Sequence, residues 1–169
     1  MKKIFFALVL SIFTLQNAYG LITVDITRGN LDPLPIAVSP LHVDSKSEKI
    51  SSFETSTLGE EISKIVEKNF KSTGLFNPLK KDSFVQKPDI AHLKPRFEDW
   101  RLIKAQALVT GKLLIIDKKL KVEFRLWDLT AAKEMIALSF TTTPNNWRRV
   151  AHIISDKIYE RLTGETGYF

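Results

Sequence analysis

The sequence of 169 residues contains no cysteine. That absence excludes a disulfide framework, a thiolate metal site, a catalytic thiol and an acceptor for lipid attachment. Glycines are few and scattered, so neither of the glycine-rich motifs that cradle nucleotide phosphates is present. The three histidines, His42, His92 and His152, have no second ligand at helical spacing, and no zinc site is expected. The sequence therefore predicts no metal and no other cofactor.

Long apolar runs are also lacking, and the longest lies at the amino terminus. Residues 4–15 are mostly apolar and follow two lysines, but they fall short of the roughly 20 residues that a membrane-spanning helix needs. Small residues at Ala18 and Gly20 suit a signal peptidase. We therefore predict a cleaved signal peptide over residues 1–20, cleavage between Gly20 and Leu21, and a periplasmic location without a membrane segment after cleavage.

The charge is only mildly basic once this leader is removed. The formal net charge is +6, and residues 1–20 hold two lysines and no acid, so the mature chain carries +6 − 2 = +4. A nucleic-acid platform would need aromatic side chains among basic ones on an open face, and Trp127 is the one candidate there. Because export separates the chain from nucleic acid, we expect no nucleic-acid partner.

Hydrophobic periodicity predicts the following elements. Alternating or continuous apolar residues indicate strands at 21–27, 34–39, 108–116, 119–127 and 134–141. Apolar stripes at helical spacing indicate helices at 57–71 and 146–162, with a short helical turn at 97–104 that places Trp100 and Ile103 inward. Thr57 and Glu60 have capping-box spacing, and Gly74 and Gly164 suit helix ends. Residues 40–55 and most of 75–95 are predicted to be loops.

These elements predict an α/β fold of the anticodon-binding-domain-like kind. A mixed twisted sheet would contain an antiparallel three-stranded meander with one wet face, and two main amphipathic helices would pack on it. The strand around Ile36 should lie inside the sheet because its apolar run is continuous. The predicted organisation is a leader at 1–20, a partner-binding segment at 21–32, an α/β domain at 33–163 and a linker at 164–169.

Catalytic motifs are not evident. Asp156 follows His152 by one helical turn and could orient its imidazole for base catalysis. The alternative, which we favour, is an exposed pair on the polar face of a packing helix. Ser155 lies nearby but has no strained elbow and no oxyanion hole in the sequence around it. We predict no catalytic residues and no enzymatic activity.

The segment after the predicted cleavage point is the main candidate for binding. A terminal extended segment can pair with its own sheet as a plain edge strand, or it can add to the edge of a partner's sheet. In the second case backbone hydrogen bonds give affinity and alternate side chains give selection. The candidate partner-binding residues are Leu21, Ile22, Thr23, Val24, Asp25, Ile26, Thr27, Arg28 and Gly29.

Several motifs together resemble the amino-terminal domain of the Tol-Pal system protein TolB. They cover nearly the whole mature chain, and the ordered set is more specific than any one of them. The motifs are Leu34-Pro35-Ile36-Ala37-Val38-x-Pro40, Ser72-Thr73-Gly74-Leu75-Phe76, Trp100, Ala105 to Gly111, Phe124-Arg125-Leu126-Trp127-Asp128, Arg149-Val150-Ala151-His152 with Asp156 to Gly164, and Gly167-x-Phe169. Departures from the family pattern are Leu41, His42 and Asn69.

The resemblance implies a periplasmic component of the Tol-Pal complex, with roles in outer-membrane integrity, cell division and bacteriocin import. In that family the first dozen or so mature residues bind the periplasmic domain of TolA or fold back on the protein, which here implies Leu21 to Asp32. The family's six-bladed propeller binds the lipoprotein Pal. The chain ends at Phe169, about where a propeller should begin, so the missing propeller leaves Pal binding doubtful.

Two other functions remain open on the sequence. One is a periplasmic regulator of an envelope enzyme or secretion system with a similar α/β domain, although lipoproteins of that kind usually carry a cysteine that is absent here. The other is a hydrolase that uses His152 and Asp156.

Overall fold

The computed structural model describes residues 21–25, 32–50, 54–167 and 169. Within these ranges six strands form one mixed sheet. They are β1 (Leu34–Val38), β2 (His42–Val43), β3 (Phe76–Pro78), β4 (Ala107–Ile116), β5 (Lys119–Asp128) and β6 (Lys133–Thr142). The order across the sheet is β3-β1-β4-β5-β6, and β2 pairs with β4 beyond the end of β1.

The strand β1 lies inside the sheet, as its continuous apolar run predicts. It pairs in parallel with β3 on one side and with β4 on the other. Ile36 and Ala37 are both fully buried, and they belong to hydrophobic clusters on opposite faces of the sheet. The prediction that this strand is buried on both faces is confirmed.

The strands β4, β5 and β6 form the predicted antiparallel meander. Asp117 and Lys118 join β4 to β5 in a tight turn, with φ angles of 51° and 56°. Positive φ at both central residues is what a two-residue hairpin turn requires, because its twist then matches that of the flanking strands. On β5, the apolar side chains at alternate positions from Leu120 to Leu126 face the main core.

Two long helices cover one face of the sheet. They are α1 (Leu58–Thr73) and α4 (Trp147–Thr163), and the apolar stripes predicted for both contribute to the main core. Each helix ends at a glycine in the left-handed region, with φ of 70° at Gly74 and 81° at Gly164, as predicted. The predicted capping box is wrong, because the Thr57 hydroxyl donates to the carbonyl oxygen of Glu54 and does not cap α1.

A second hydrophobic cluster lies on the opposite face of the sheet. It gathers the short helices α2 (Pro88–Ala91) and α3 (Phe97–Leu102) around Trp100, which is 1% exposed. Ile103 packs against this cluster, so the inward placement predicted for Trp100 and Ile103 is confirmed. The sheet is therefore covered on both faces near β1 and β4.

The wet face predicted for the meander is found on the outer part of β5 and along much of β6. Lys119 and Lys121 are exposed, as the pattern predicts. Trp127 is buried at 7% exposure, and its Nε1 donates to Thr110 Oγ1 at 2.9 Å. Its ring packs edge-on against Phe97. Trp127 is thus a core residue, and the open-face placement considered for it is wrong.

Two short strands lie in regions predicted to be loops. Strand β2 has two residues and β3 has three, too few for a period-two pattern to be detected. Both strands are specified by the neighbour that they pair with, β4 and β1 respectively. Among the described residues, no helix combines the length and the apolar character that crossing a bilayer demands.

Candidate functional site

The amino-terminal segment 21–25 lies against the body of the domain through two backbone hydrogen bonds. The N–H of Ile22 donates to Asp128 Oδ2 at 2.9 Å. The N–H of Val24 donates to the carbonyl oxygen of Leu162 at 2.7 Å. Because Leu162 lies in the last turn of α4, its carbonyl has no partner within the helix, and Val24 supplies one.

The side chains of this segment alternate between the body and solvent. Ile22 and Val24 are half-buried and pack against the main core. Leu21, Thr23 and Asp25 are exposed. The alternation is what the sequence pattern predicts, but residues 21–25 do not pair with the sheet, so the predicted strand is wrong over these residues.

The remaining candidate residues fall outside the described ranges. Of the predicted partner-binding set, Ile26, Thr27, Arg28 and Gly29 lie there, as does Gly20 at the predicted cleavage point. Leu21, Ile22, Thr23, Val24 and Asp25 are described, and the structure brings them together along one path from the end of β5 to the end of α4.

Asp128 is the polar side chain that accepts a hydrogen bond from the amino-terminal segment. It is the last residue of β5 and is fully buried. Its Oδ1 accepts a hydrogen bond of 2.8 Å from the N–H of Ala131, which closes the turn to β6. Its Oδ2 accepts the bond from Ile22. A buried carboxylate needs such donors because its desolvation is costly.

Sequence analysis placed Asp128 and Leu162 in motifs that resemble the family but gave neither residue a part in holding the amino-terminal segment. An aspartate that follows an apolar strand and precedes a tight turn is an ordinary turn residue. Leu162 acts through its backbone carbonyl, which any residue would supply. Ile22 and Asp128 are separated by 106 positions in the sequence, and Val24 and Leu162 by 138. Both contacts therefore form only when the chain folds.

His152 and Asp156, the pair considered for catalysis, contact other residues: His152 contacts Asn69, and Asp156 accepts a hydrogen bond from Phe169. His152 Nδ1 lies 3.0 Å from Asn69 Nδ2, across the seam between α1 and α4. Asn69 also donates to Ser155 Oγ at 2.9 Å, and Ser155 donates to the carbonyl oxygen of Ala151. These side chains join two helices. His152 is half-buried, so the prediction that it lies exposed on the polar face is wrong.

The carboxy-terminal end of the described chain folds back along α4. Asp156 Oδ1 accepts a hydrogen bond of 2.9 Å from the N–H of Phe169. The Phe169 ring contacts Tyr159 edge-on, with ring centroids 6.1 Å apart. Asp156 is half-buried and, like His152, is not the exposed side chain that was predicted.

Two histidines meet where β2 lies against the end of α2. His42 and His92 stack with their ring centroids 4.5 Å apart and their planes within 5°. His92 Nδ1 lies 3.0 Å from the carbonyl oxygen of Pro88. In the part of the chain that the structure describes, no group of three or more histidine or acidic residues could hold a metal ion.

Two glutamates have perturbed pKa values for opposite reasons. Burial raises the pKa of Glu67 on α1, and the Lys81 ammonium 3.4 Å away partly offsets that rise. On β5, the Lys121 ammonium 2.8 Å from Glu123 lowers the pKa of that carboxyl. Neither group contacts the amino-terminal segment, so both concern the stability of the domain.

These features define a class: a mixed α/β domain that carries an amino-terminal segment along its surface, between the end of one strand and the end of its last helix. The family model of the TolB amino-terminal domain matches residues 22–135. The chain belongs to that family, as its motifs indicate.

Known proteins resemble this chain in sequence and in fold. The Tol-Pal system protein TolB of Pelagibacter ubique (strain HTCC1062) is 65% identical over 155 residues, which are 90% of this chain and 35% of that protein. The crystal structure of TolB from Acinetobacter baumannii superposes with a TM-score of 0.63 at 20% identity, over 80% of this chain and 30% of that one. The hypothetical protein CT253 from Chlamydia trachomatis has a TM-score of 0.55 at 12% identity, over 79% of this chain and all of that one.

The two structural likenesses concern the fold alone, and they confirm the predicted α/β architecture. The chain spans about a third of the length of the TolB proteins that it matches.

Proposed function

We propose that this chain acts in the periplasm as the amino-terminal domain of a Tol-Pal system protein, and that it works by binding other proteins without catalysis. The family membership and the 65% identity to a Tol-Pal protein over most of the chain support this proposal. The expected roles are outer-membrane integrity, cell division and bacteriocin import. Residues 1–20 would be the signal peptide that directs export.

The partner-binding part would be the segment 21–32, and its partner the periplasmic domain of TolA. The observation that carries this proposal is that residues 21–25 lie on the surface of the body and outside its sheet. Their contacts with the body include two backbone hydrogen bonds and the half-buried side chains of Ile22 and Val24, while Leu21, Thr23 and Asp25 are exposed.

The energetics favour transfer of the amino-terminal segment from the body to a partner. A backbone hydrogen bond contributes about 1 kcal/mol net, so the two bonds from Ile22 and Val24 contribute about 2 kcal/mol. A sheet edge that accepts residues 21–27 as an added strand would offer more backbone bonds than the body does. The body would therefore hold the segment when TolA is absent and yield it when TolA binds.

Deletion of residues 21–32 tests the proposal. Titration calorimetry against the TolA carboxy-terminal domain should show binding by the full mature chain and none by the deleted chain. A matched control lacks residues 165–169 at the other terminus and should bind like the full chain. Circular dichroism would confirm that each variant is folded. Unchanged affinity after the amino-terminal deletion would remove TolA binding from this segment.

Pal binding is not proposed for these residues. The resemblance assigns Pal to a propeller, and this chain covers 35% of its Pelagibacter relative. A pull-down with Pal and the mature chain alone should recover no complex, and recovery of one would place a Pal contact within residues 21–169.

A further inference from the structure

Asp128 is a buried carboxylate without a cation. Its exposed fraction is 0%, and Ile22 and Ala131 supply its two hydrogen bonds through neutral backbone N–H groups. Among the described residues, no lysine, arginine or histidine forms an ion pair with it. Buried carboxylates are usually paired with a cation as well as hydrogen-bonded, because neutral donors only partly replace the water that burial removes.

Lys133 is the register partner of Asp128 on β6, and Arg101 donates to the carbonyl oxygens of Leu129 and Thr130, but neither forms an ion pair with Asp128. Removal of the leader would turn another nearby group, the nitrogen of Leu21, into a cation. It lies three covalent bonds before Ile22 N, which is 2.9 Å from Asp128 Oδ2. Standard bond lengths place it within about 7 Å of that oxygen. Leu21 is 39% exposed, so rotation about its backbone could shorten this distance.

We propose that Asp128 is a binding site for the α-ammonium group of the mature chain. Hydrolysis of the Gly20–Leu21 peptide bond by a signal peptidase consumes one water molecule. It leaves a carboxylate on Gly20 of the leader and an ammonium group on Leu21. The new cation pairs with Asp128, while the same carboxylate continues to accept the N–H of Ile22.

The pairing makes leader removal the event that secures the amino-terminal segment to the body. In the uncleaved chain the Leu21 nitrogen is a neutral amide, and the segment keeps its hydrogen bonds from Ile22 and Val24 but has no ammonium group to pair with Asp128. In the mature chain a partner that takes this segment must also separate the ammonium group from Asp128. This consequence rests on the proposed role of residues 21–32, whereas the ion pair itself does not.

Hydrogen exchange of the Val24 amide measures the docking directly. The mature chain would be purified after export of the full precursor and compared with a chain that keeps Tyr19 and Gly20 before Leu21. The two extra residues move the ammonium group by roughly 7 Å. We expect the Val24 amide to exchange at least about 10-fold more slowly in the mature chain, equivalent to one pKa unit of the amine.

The pH dependence of the same signal identifies the cation. A carboxylate partner raises the pKa of the α-amine above its ordinary value of about 7.7 to 8.0. Protection of Val24 should therefore be complete below that value and should decrease as pH rises through the raised pKa. In Asp128→Asn the carbonyl still accepts a hydrogen bond, but protection should drop to that of the extended chain and lose this pH dependence.

Three results would overturn the proposal. They are equal Val24 protection in the mature and extended chains, an α-amine that titrates in its ordinary range, or an exported protein that does not begin at Leu21. The extended chain keeps every residue from Leu21 onward unchanged, so its comparison stands even if Asp128→Asn destabilises the domain. TolA takes no part in these measurements, and a failure here is therefore separate from a failure of TolA binding.

Discussion

Asn69 and Ser155 meet across the two main helices, where Asn69 Nδ2 donates a hydrogen bond of 2.9 Å to Ser155 Oγ. Both side chains are buried within an otherwise apolar seam. The same amide nitrogen lies 3.0 Å from His152 Nδ1, so one asparagine on α1 contacts two residues one turn apart on α4. A polar contact of this kind fixes the position of one helix along the other, because sliding either helix would leave buried polar atoms unpaired.

Replacement of Asn69 by Ala should lower the free energy of unfolding by about 1 to 3 kcal/mol, since the polar groups that it contacts lose a buried partner. Urea denaturation measures the change. Lys68→Ala on the same helix is the control, because Lys68 is exposed, and its effect should stay within about 0.5 kcal/mol. Equal small effects of both substitutions would mean that the seam does not depend on this asparagine.

Glycine is required at position 59 on α1 because the backbone of Leu41 lies against it. A Cβ at this position would lie 1.9 Å from the carbonyl oxygen of Leu41, and the Leu41 N–H donates to the Gly59 carbonyl oxygen at 3.2 Å. Gly59→Ala should destabilise the domain by about 3 kcal/mol or more, because α1 must move away from the segment between β1 and β2. Thermal unfolding followed by circular dichroism measures this.

Gly74 is the matched control for that substitution. No atom lies within 4 Å of a Cβ built there, and its cost comes from its φ of 70° alone. Gly74→Ala should cost about 1 to 2 kcal/mol. If Gly59→Ala proves no more damaging than Gly74→Ala, the close approach at Leu41 is not a constraint.

Proline substitutions distinguish the backbone contacts of the amino-terminal segment. Val24→Pro removes the N–H that donates to Leu162, whereas Thr23→Pro changes the preceding exposed residue. Limited proteolysis should cut near residue 25 several-fold faster in Val24→Pro than in Thr23→Pro. Similar cutting rates in the two variants would show that the bond to Leu162 does not hold the segment.

Glu67 should make stability fall with rising pH. Burial raises its pKa above the ordinary 4.5, so the folded chain retains the proton to a higher pH than the unfolded chain does. The free energy of unfolding therefore decreases as pH rises from about 4.5 through the raised pKa. Glu67→Gln should remove this decrease, as measured by urea denaturation between pH 4 and pH 8.

Glu60→Gln is the control for that experiment. Glu60 lies on the same helix, with its side chain 49% exposed beside Lys64. Its replacement should leave the downward slope in place. A slope that survives in Glu67→Gln, or disappears in both variants, would contradict the assignment to Glu67.

The long elements were predictable because each has enough residues for its periodicity to be evident. The meander strands and both main helices lie within two residues of their predicted ends, and the helix stops at Gly74 and Gly164 are where glycine was expected. The elements that escaped prediction are short. Strands β2 and β3 form because a neighbouring strand offers them hydrogen bonds. A sequence of two or three residues does not show that such a strand will lie beside it.

The candidate site was predicted in part. The alternation of Ile22 and Val24 with exposed neighbours is visible in the sequence and confirmed in the structure. The assignment of a strand to residues 21–25 failed for a physical reason. Alternating apolar and polar side chains show that the segment has a buried and an exposed face, but they do not show which groups its backbone will hydrogen-bond to. The acceptors at that edge, Asp128 and the Leu162 carbonyl, become neighbours only when the chain folds.

By itself, the sequence determined the kinds of element, the faces that they bury and the family to which the chain belongs, because these depend on local spacing and on ordered motifs. Tertiary structure alone decided that Trp127 is buried, that Asn69 joins two helices and that Asp128 accepts Ile22. Each of these depends on distances between residues far apart in the chain, and packing sets those distances.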